Sequence, residues 1–447
     1  MFKTLKNAWK IPELKNKLLF TLLIIILYRV GSAIPVPYFN YAVSLPDIGN
    51  SGILAFLSTL SGGALAQGTL LALGVSPYIT ASIVMQLLTI AIPPLERLSK
   101  EGEEGKKKIN FYTRITTVIL SIITAVGYTL FVMNTKDIFL NTGVNKWFAG
   151  TVMVLCYCAG AMLVMWLAEK INDHGIGNGI SIILFANIVT AFFQQAGSLY
   201  AAVTFNGFGF NYVGLIIAIV TVIVLIGLVM MIVWMSDAER RIPIQYAKRV
   251  VGRKMYGGQN TNLPIKVNMS GVMPIIFANS IVAVPATIAA FMGENGYTKF
   301  IQNWFNYDTP IYLVVFLALL IAFAYFYVAI SFSPVEVANN IKNNGGAIPG
   351  IRSGRPTVEF IKKVLGRVTL VGALLVAVVA CVPMLAAVIS KPISAALPTS
   401  LYAQAVQNIG FMAFGGSSLM IVVGVALETT RELEAQMSLR NYKGFLD

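Results

Sequence analysis

Read for polarity alone, the chain is a succession of apolar runs, most of them of membrane-crossing length, with short polar joints and two long polar ones. The runs fall at 18–35, 52–92, 114–135, 148–169, 179–203, 211–235, 269–293, 310–332, 367–389 and 401–427. About 20 helical residues at 1.5 Å each cross a hydrocarbon core of about 30 Å. The runs are continuous rather than alternating, which excludes a β-barrel. The pattern predicts an all-α polytopic membrane protein with ten transmembrane helices in two five-helix halves. Such a division suggests an inverted repeat around a central pore, although the halves share no clear sequence identity. The expected limits are 1–235 for the N-terminal half plus the sixth span, and 236–268 for a loop. They continue with 269–427 for the remaining spans, including a loop at 333–366, and 428–447 for a polar tail.

The second run breaks the pattern. A helix over 52–92 would be about 60 Å long, twice the thickness of the core. Its middle, "GGALAQGTLLALGVSPYIT" (62–80), is rich in glycine and small polar residues, poor material for a lipid-facing helix. Pro77 restricts the backbone before it, and "YITASIVMQLLTIAI" (78–92) then reads as a true span.

Composition agrees with a membrane setting. The 447 residues are 57% hydrophobic and 12% charged, and the mean hydropathy is +0.74. A soluble chain of this length needs more polar residues to cover its surface. Lys3, Lys6, Lys10, Lys15 and Lys17 precede the first run, as in a signal peptide. That run, however, continues to Ile34 and ends in "AIPVP" without a small-x-small cleavage site, so it reads as the first span.

Charge sets the orientation. Of the 33 Lys and Arg, all but five lie in the N-terminus, the even-to-odd joints and the C-terminus; the exceptions are Lys136, Lys146, Lys299, Lys391 and Arg29. By the positive-inside rule both termini and both long loops are cytoplasmic. This asymmetry accounts for the net charge of +14 without a nucleic-acid ligand. The two long loops carry more basic residues than orientation requires. They are either solvated topology determinants or docking surfaces for a cytosolic partner, an acidic protein face or ribosomal RNA phosphates.

Several chemistries lack their residues. Cys156, Cys158 and Cys381 lie inside apolar runs and read as small hydrophobes, and His174 is the sole histidine. No zinc site, cofactor or catalytic constellation is expected. The spans hold almost no ionisable groups apart from Arg29, which argues against an ion-coupled pump. "HGIGNGIS" (174–181) imitates a nucleotide fingerprint but follows a membrane-length run rather than a β-strand. Its glycines read as a tight approach to a helix start.

Seven segments together carry a resemblance: "GSAIPVP" (31–37), "GGALAQGTLLALGVSPYITASIVMQLL" (62–88), "KEGEEGKKKINFYTR" (100–114), "GIGNGISIILFANIV" (175–189), "LPIKVNMSGVMPIIFANSI" (263–281), "PGIRSGRPT" (349–357) and "FGGSSLMIVVGVALE" (414–428). The tail "RNYKGF" (440–445) adds to them. In this order they resemble the SecY family, the central channel subunits of the bacterial protein translocase. Departures are small: Ser76, Asn279 and Ser353 stand where methionine, serine and proline are usual.

The resemblance implies a channel for unfolded secretory polypeptides that also releases apolar segments sideways into the bacterial cytoplasmic membrane. It implies that about 52–70 folds back as a plug. A pore ring would be formed by Ile79, Ile83, Ile180, Leu184, Ile276 and Ile421. An aliphatic ring dewets when empty and makes no specific hydrogen bond to a passing chain. A lateral gate between the second-to-third and seventh-to-eighth spans would use polar residues such as Gln86, Asn268, Asn279 and Ser280. Arg253, Lys254 and Arg352 would dock the ribosome or the SecA motor, with SecE clamping the halves and SecG peripheral. The alternatives are an accessory paralogue with few substrates, a small-solute transporter, which would need a polar midplane site, and a non-transporting scaffold.

Overall fold

The computed structural model describes residues 2–40, 57–135, 139–140, 145–205, 209–210, 212–246, 249–251, 254–256, 260–291, 296–304, 309–396 and 415–443. A short helix α1 (Phe2–Trp9) leads into α2 (Pro12–Gly31). Pro12 stands in the first turn of α2, where its missing N–H has no helical partner to lose. The surface of α2 shows what surrounds the molecule. Leu14, Thr21, Ile24 and Tyr28 are buried, while Leu19, Leu22, Leu23, Ile26, Leu27 and Val30 are exposed. Both sets keep helical spacing, but the more apolar one faces outward. A helix on a water-soluble protein does the reverse, so this outer face belongs in lipid.

Residues 57–75 form a short helical turn followed by consecutive turns, not a span. Helix α3 (Ser76–Ala91) starts only there, with Pro77 in its first turn. It bends by 102° into α4 (Pro93–Lys100), because Pro93 and Pro94 cannot continue the hydrogen-bond ladder. Next come α5 (Glu103–Asn134), α6 (Lys146–His174) and α7 (Gly179–Val203). Asn145 caps α6, accepting from the Trp147 N–H at 3.2 Å. Asn178 does the same for α7, accepting from the Ile180 N–H at 3.1 Å. The "GIGNG" turn is therefore a helix start, in agreement with the reading of its glycines.

A two-residue pair, β1 (Thr204–Phe205) and β2 (Gly209–Phe210), precedes α8 (Tyr212–Asp237). The chain then leaves the helical body for strands β3 (Glu239–Tyr246), β4 (Arg249–Val251), β5 (Lys254–Tyr256) and β6 (Asn260–Lys266). It returns in α9 (Met273–Phe291), α10 (Gly296–Trp304), α11 (Pro310–Ser331) and α12 (Pro334–Asn343). Strand β7 (Gly346–Ala347), the long α13 (Arg355–Ala396) and α14 (Gly415–Lys443) complete the described chain.

A helix lies in each of the ten apolar runs. Among the described residues, parts of α5, α6, α8, α11 and α13 are long and apolar enough on their own to cross a membrane, and bent α3–α4 makes a sixth if taken as one. The apolar runs in α7 and α9 are shorter. Helices α5 and α13 start about a turn or more before the apolar runs they contain, as charged helical extensions.

The packing repeats. In the first half α2 packs on α6 and α7, α3 on α5, α5 on α6, and α6 on α7. In the second half α8 packs on α13 and α14, α9 on α11, α11 on α13, and α13 on α14. Each pair has its counterpart when α2, α3, α5, α6 and α7 are matched in order to α8, α9, α11, α13 and α14. This matching order of contacts is what the expected repeat of two halves calls for. The halves meet along two lines: α7 against α8 and α14 on one side, α9 against α3 and α5 on the other.

The two long basic loops, separate in sequence, fold as one unit. The sheet order is β6-β3-β7, and β3 pairs antiparallel with both neighbours. Ile242 and Ile244 alternate inward from β3 and join Ile265, Ala338, Ile341, Ile348, Ile361 and Leu365 in a small buried core.

Candidate functional site

Five of the six expected ring residues are buried in one cluster: Ile79 and Ile83 of α3, Leu184 of α7, Ile276 of α9 and Ile421 of α14. Ile180 is half-buried and packs against the same cluster. Both halves contribute to this cluster, so these side chains lie where the two bundles face each other. The spacing of four in Ile79–Ile83 and Ile180–Leu184 puts each pair on one helical face.

A cavity of about 300 Å³ adjoins these side chains, walled by Leu57, Leu60 and Leu65 of the irregular segment, by Ile79, Leu184, Ile276 and Ile421, and by the facing sides of α3, α5 and α9. Its outer walls include Ile123, Val284 and Ile288, which are themselves exposed on the lipid-facing surface. The cavity thus runs from the ring residues to the α5–α9 seam. Residues 57–75 stay near the end of α2 and the start of α3. The Leu70 N–H donates to the Ile34 carbonyl at 2.9 Å, and the Tyr128 hydroxyl donates to the Leu65 carbonyl at 2.5 Å. At Gly160 of α6 a Cβ would lie 1.9 Å from the Leu70 carbonyl oxygen, so only glycine permits this approach.

The expected gate residues separate. Asn279 is buried and lines the cavity, and its side-chain nitrogen has no acceptor among the described residues. Ser280 also lines it, its hydroxyl donating to the Ile276 carbonyl at 2.7 Å. Asn268 lies in the turn before α9 with a buried Oδ1 that has no donor among the described residues. Gln86 is exposed on α3 and donates to the Ser82 hydroxyl at 3.4 Å, away from the cavity. Of the docking residues, Arg352 is exposed on the turn between β7 and α13. Lys254 opens β5, at the end of a hairpin that β4 and β5 form, and Arg253 lies outside the described residues.

Sequence reasoning missed the polar residues that hold 57–75. Tyr28, Asn187, Tyr128 and Tyr157 all hydrogen-bond to it or to one another. Asn187 and the tyrosines inside otherwise apolar runs were the available signal.

Two helical bundles with matching packing, an apolar cluster to which both contribute and an irregular segment beside it are the architecture of a polytopic membrane protein. The sequence profile of the family described as SecY matches residues 69–430. Curated relatives described as protein translocase subunit SecY include those of Streptomyces galbus, 43% identical over 461 residues, and Bacillus subtilis, 39% identical over 449 residues, each with 100% of both chains covered. The chain belongs to the SecY family. Its fold is similar to a structure described as that of a protein-conducting channel, with TM-score 0.63 and 19% identity over 96% of each chain. It is also similar to canine Sec61 in a ribosome-channel complex, with TM-score 0.59 and 17% identity over 96% of each chain.

Proposed function

We propose that this chain is the protein-conducting subunit of a bacterial Sec translocase. It passes unfolded secretory polypeptides through the aliphatic ring and releases apolar segments through the α3/α5–α9 seam into lipid. The observation that carries this reading is the apolar cluster to which both halves contribute these aliphatic side chains, with Leu57, Leu60 and Leu65 of the irregular segment on the cavity beside it. A solute transporter needs polar ligands at its centre, whereas this centre is greasy. Greasy walls shed water when empty and grip no particular sequence when filled.

In this reading residues 57–75 are the described part of the plug, and both termini and the β3–β6 unit face the cytoplasm, as the distribution of Lys and Arg requires. That unit, with Arg352, Lys254 and Arg253, docks the ribosome or SecA, while SecE and SecG complete the complex. The neighbouring Sec61 structure, in a complex with a ribosome, supports a ribosomal partner. The test is co-reconstitution of the chain with its SecE-like and SecA-like partners in proteoliposomes. A signal-bearing preprotein should become protease-protected with ATP. Protection equal to that of liposomes lacking the chain overturns the reading.

A further inference from the structure

The described part of the plug divides at Gly62–Gly63. On the far side the segment is clamped to the first half at several points. The Leu70 N–H reaches Ile34 and Thr69 bridges Pro35. The hydroxyls of Tyr128 and Tyr157 donate to the carbonyls of Leu65 and Gly68. On the near side Leu57–Leu60 is one turn of helix, closed by a C-terminal motif. The Gly63 N–H returns to the Ser58 carbonyl at 2.8 Å and the Gly62 N–H to the Thr59 carbonyl at 3.1 Å. The next carbonyl, that of Leu60, is one of the orphans every helix end leaves, and it is satisfied from another element. Asn187 of α7 donates to it at 2.7 Å and to the Tyr28 hydroxyl at 2.9 Å.

Two neighbours reinforce this contact. Arg29 donates to the carbonyl of Ala186, the residue before Asn187. Its guanidinium also lies against Gly62, where a Cβ would be 2.7 Å from Arg29 Nη1 and 3.0 Å from Asn187 Oδ1. Gly62 and Gly63 have φ of +67° and +88°, values that strain any residue with a Cβ. Toward the second half, Leu57 and Leu60 line the cavity shared with Ile276 and Ile421.

We infer that Asn187 is a positioning residue, a latch that holds the plug tip beside the ring, while the clamped stretch 64–75 stays in place and the tip turns about Gly62–Gly63. This rests on reading 57–75 as a plug. When the seam widens, the tip loses its apolar neighbours in the second half, while the bond from the Asn187 amide still has to be broken. An arriving polypeptide offers carbonyls of its own to that amide. The assignment explains why Asn187 and Arg29 occupy an apolar setting, and why glycines stand between tip and clamp.

The test uses the full chain in proteoliposomes, with Cys156, Cys158 and Cys381 replaced by Ser, and Leu60→Cys as reporter for the tip or Ala72→Cys for the clamped stretch. The rate of modification by a water-soluble maleimide is measured on the idle protein. Asn187→Leu should accelerate labelling at position 60 by roughly five- to tenfold, the effect of losing one hydrogen bond, and leave position 72 unchanged. Gly62→Ala, which acts from the plug side and displaces Arg29, should also accelerate labelling at 60 alone. Unchanged rates at 60 in both variants, or equal acceleration at 60 and 72, overturn the latch. The readout needs no polypeptide, so it stands or falls separately from the preprotein-protection test of the channel reading.

Discussion

In the proposed channel, single side chains of the aliphatic cluster decide between water and no water. For a lipid-facing Ile, the alternative to packing is lipid, and little is lost by exposing it. For Ile276 or Ile421 the alternative is a wet pore, and burial of such a side chain contributes about 1.5–3 kcal/mol. Ile276→Asn and Ile421→Asn should therefore raise resting conductance in planar bilayers and admit preproteins with defective signal sequences. Silent bilayers with inserted protein would place the pore elsewhere. The ring positions are not distinguishable from other span isoleucines by hydropathy; only matching of whole motifs singles them out. Asn187 is different. As an amide in an apolar run it is visible in the sequence, but its acceptor lies 127 positions away at Leu60. No local pattern links the two. Gln86 shows the converse, a polar residue in a span that faces outward and bonds within its own helix.

At the scale of elements, the two basic loops are better described as one small domain. Arg352 is exposed on its surface and Ile265 is fully buried in its core. The two positions should separate docking from folding. Arg352→Glu reverses a charge without touching the core, so it should impair SecA-driven export while trypsin sensitivity of the loops stays as in the parent. Ile265→Ala leaves a cavity costing about 2–5 kcal/mol, enough to loosen the sheet. It should free the β3 backbone at the already exposed Arg240 and Arg241 for trypsin cleavage and weaken docking, with resting conductance unaffected. Unchanged export by Arg352→Glu would make that residue a topology determinant only. The alternation of Ile242 and Ile244 with polar neighbours was a legible strand signal within a stretch read as loop. The pairing of β3 with β7 was not legible, because β7 is two residues long and roughly a hundred positions away. The helical runs, by contrast, were readable almost throughout, since continuous apolarity over a membrane's thickness admits few other structures.

For the whole molecule, the two lines of contact between the halves differ in kind. On one side α7 continues through the β1–β2 joint into α8 and packs on α14, so chain connectivity and packing coincide. On the other, α9 meets α3 and α5 with no nearby covalent link, and a cavity already lies between them. The proposed lateral release therefore calls for opening at the touching edge, with the first line as its hinge. Asn279, buried at that edge with a nitrogen that has no acceptor among the described residues, makes the closed seam less stable than its apolar area implies. A covalent tie should therefore have opposite effects in two places. Thr80 and Ser280 line the cavity from α3 and α9, so Thr80→Cys with Ser280→Cys, joined by a short bismaleimide, ties one half to the other. Thr80 and Thr124 line it from α3 and α5, and Thr80→Cys with Thr124→Cys ties the first half to itself. With the native cysteines replaced, the first tie should abolish both translocation of a preprotein and lateral insertion of an apolar segment. The second should leave both near the parent level. Full-rate translocation through the seam-tied protein, with crosslinking complete on a gel, would mean that the halves do not part at this edge.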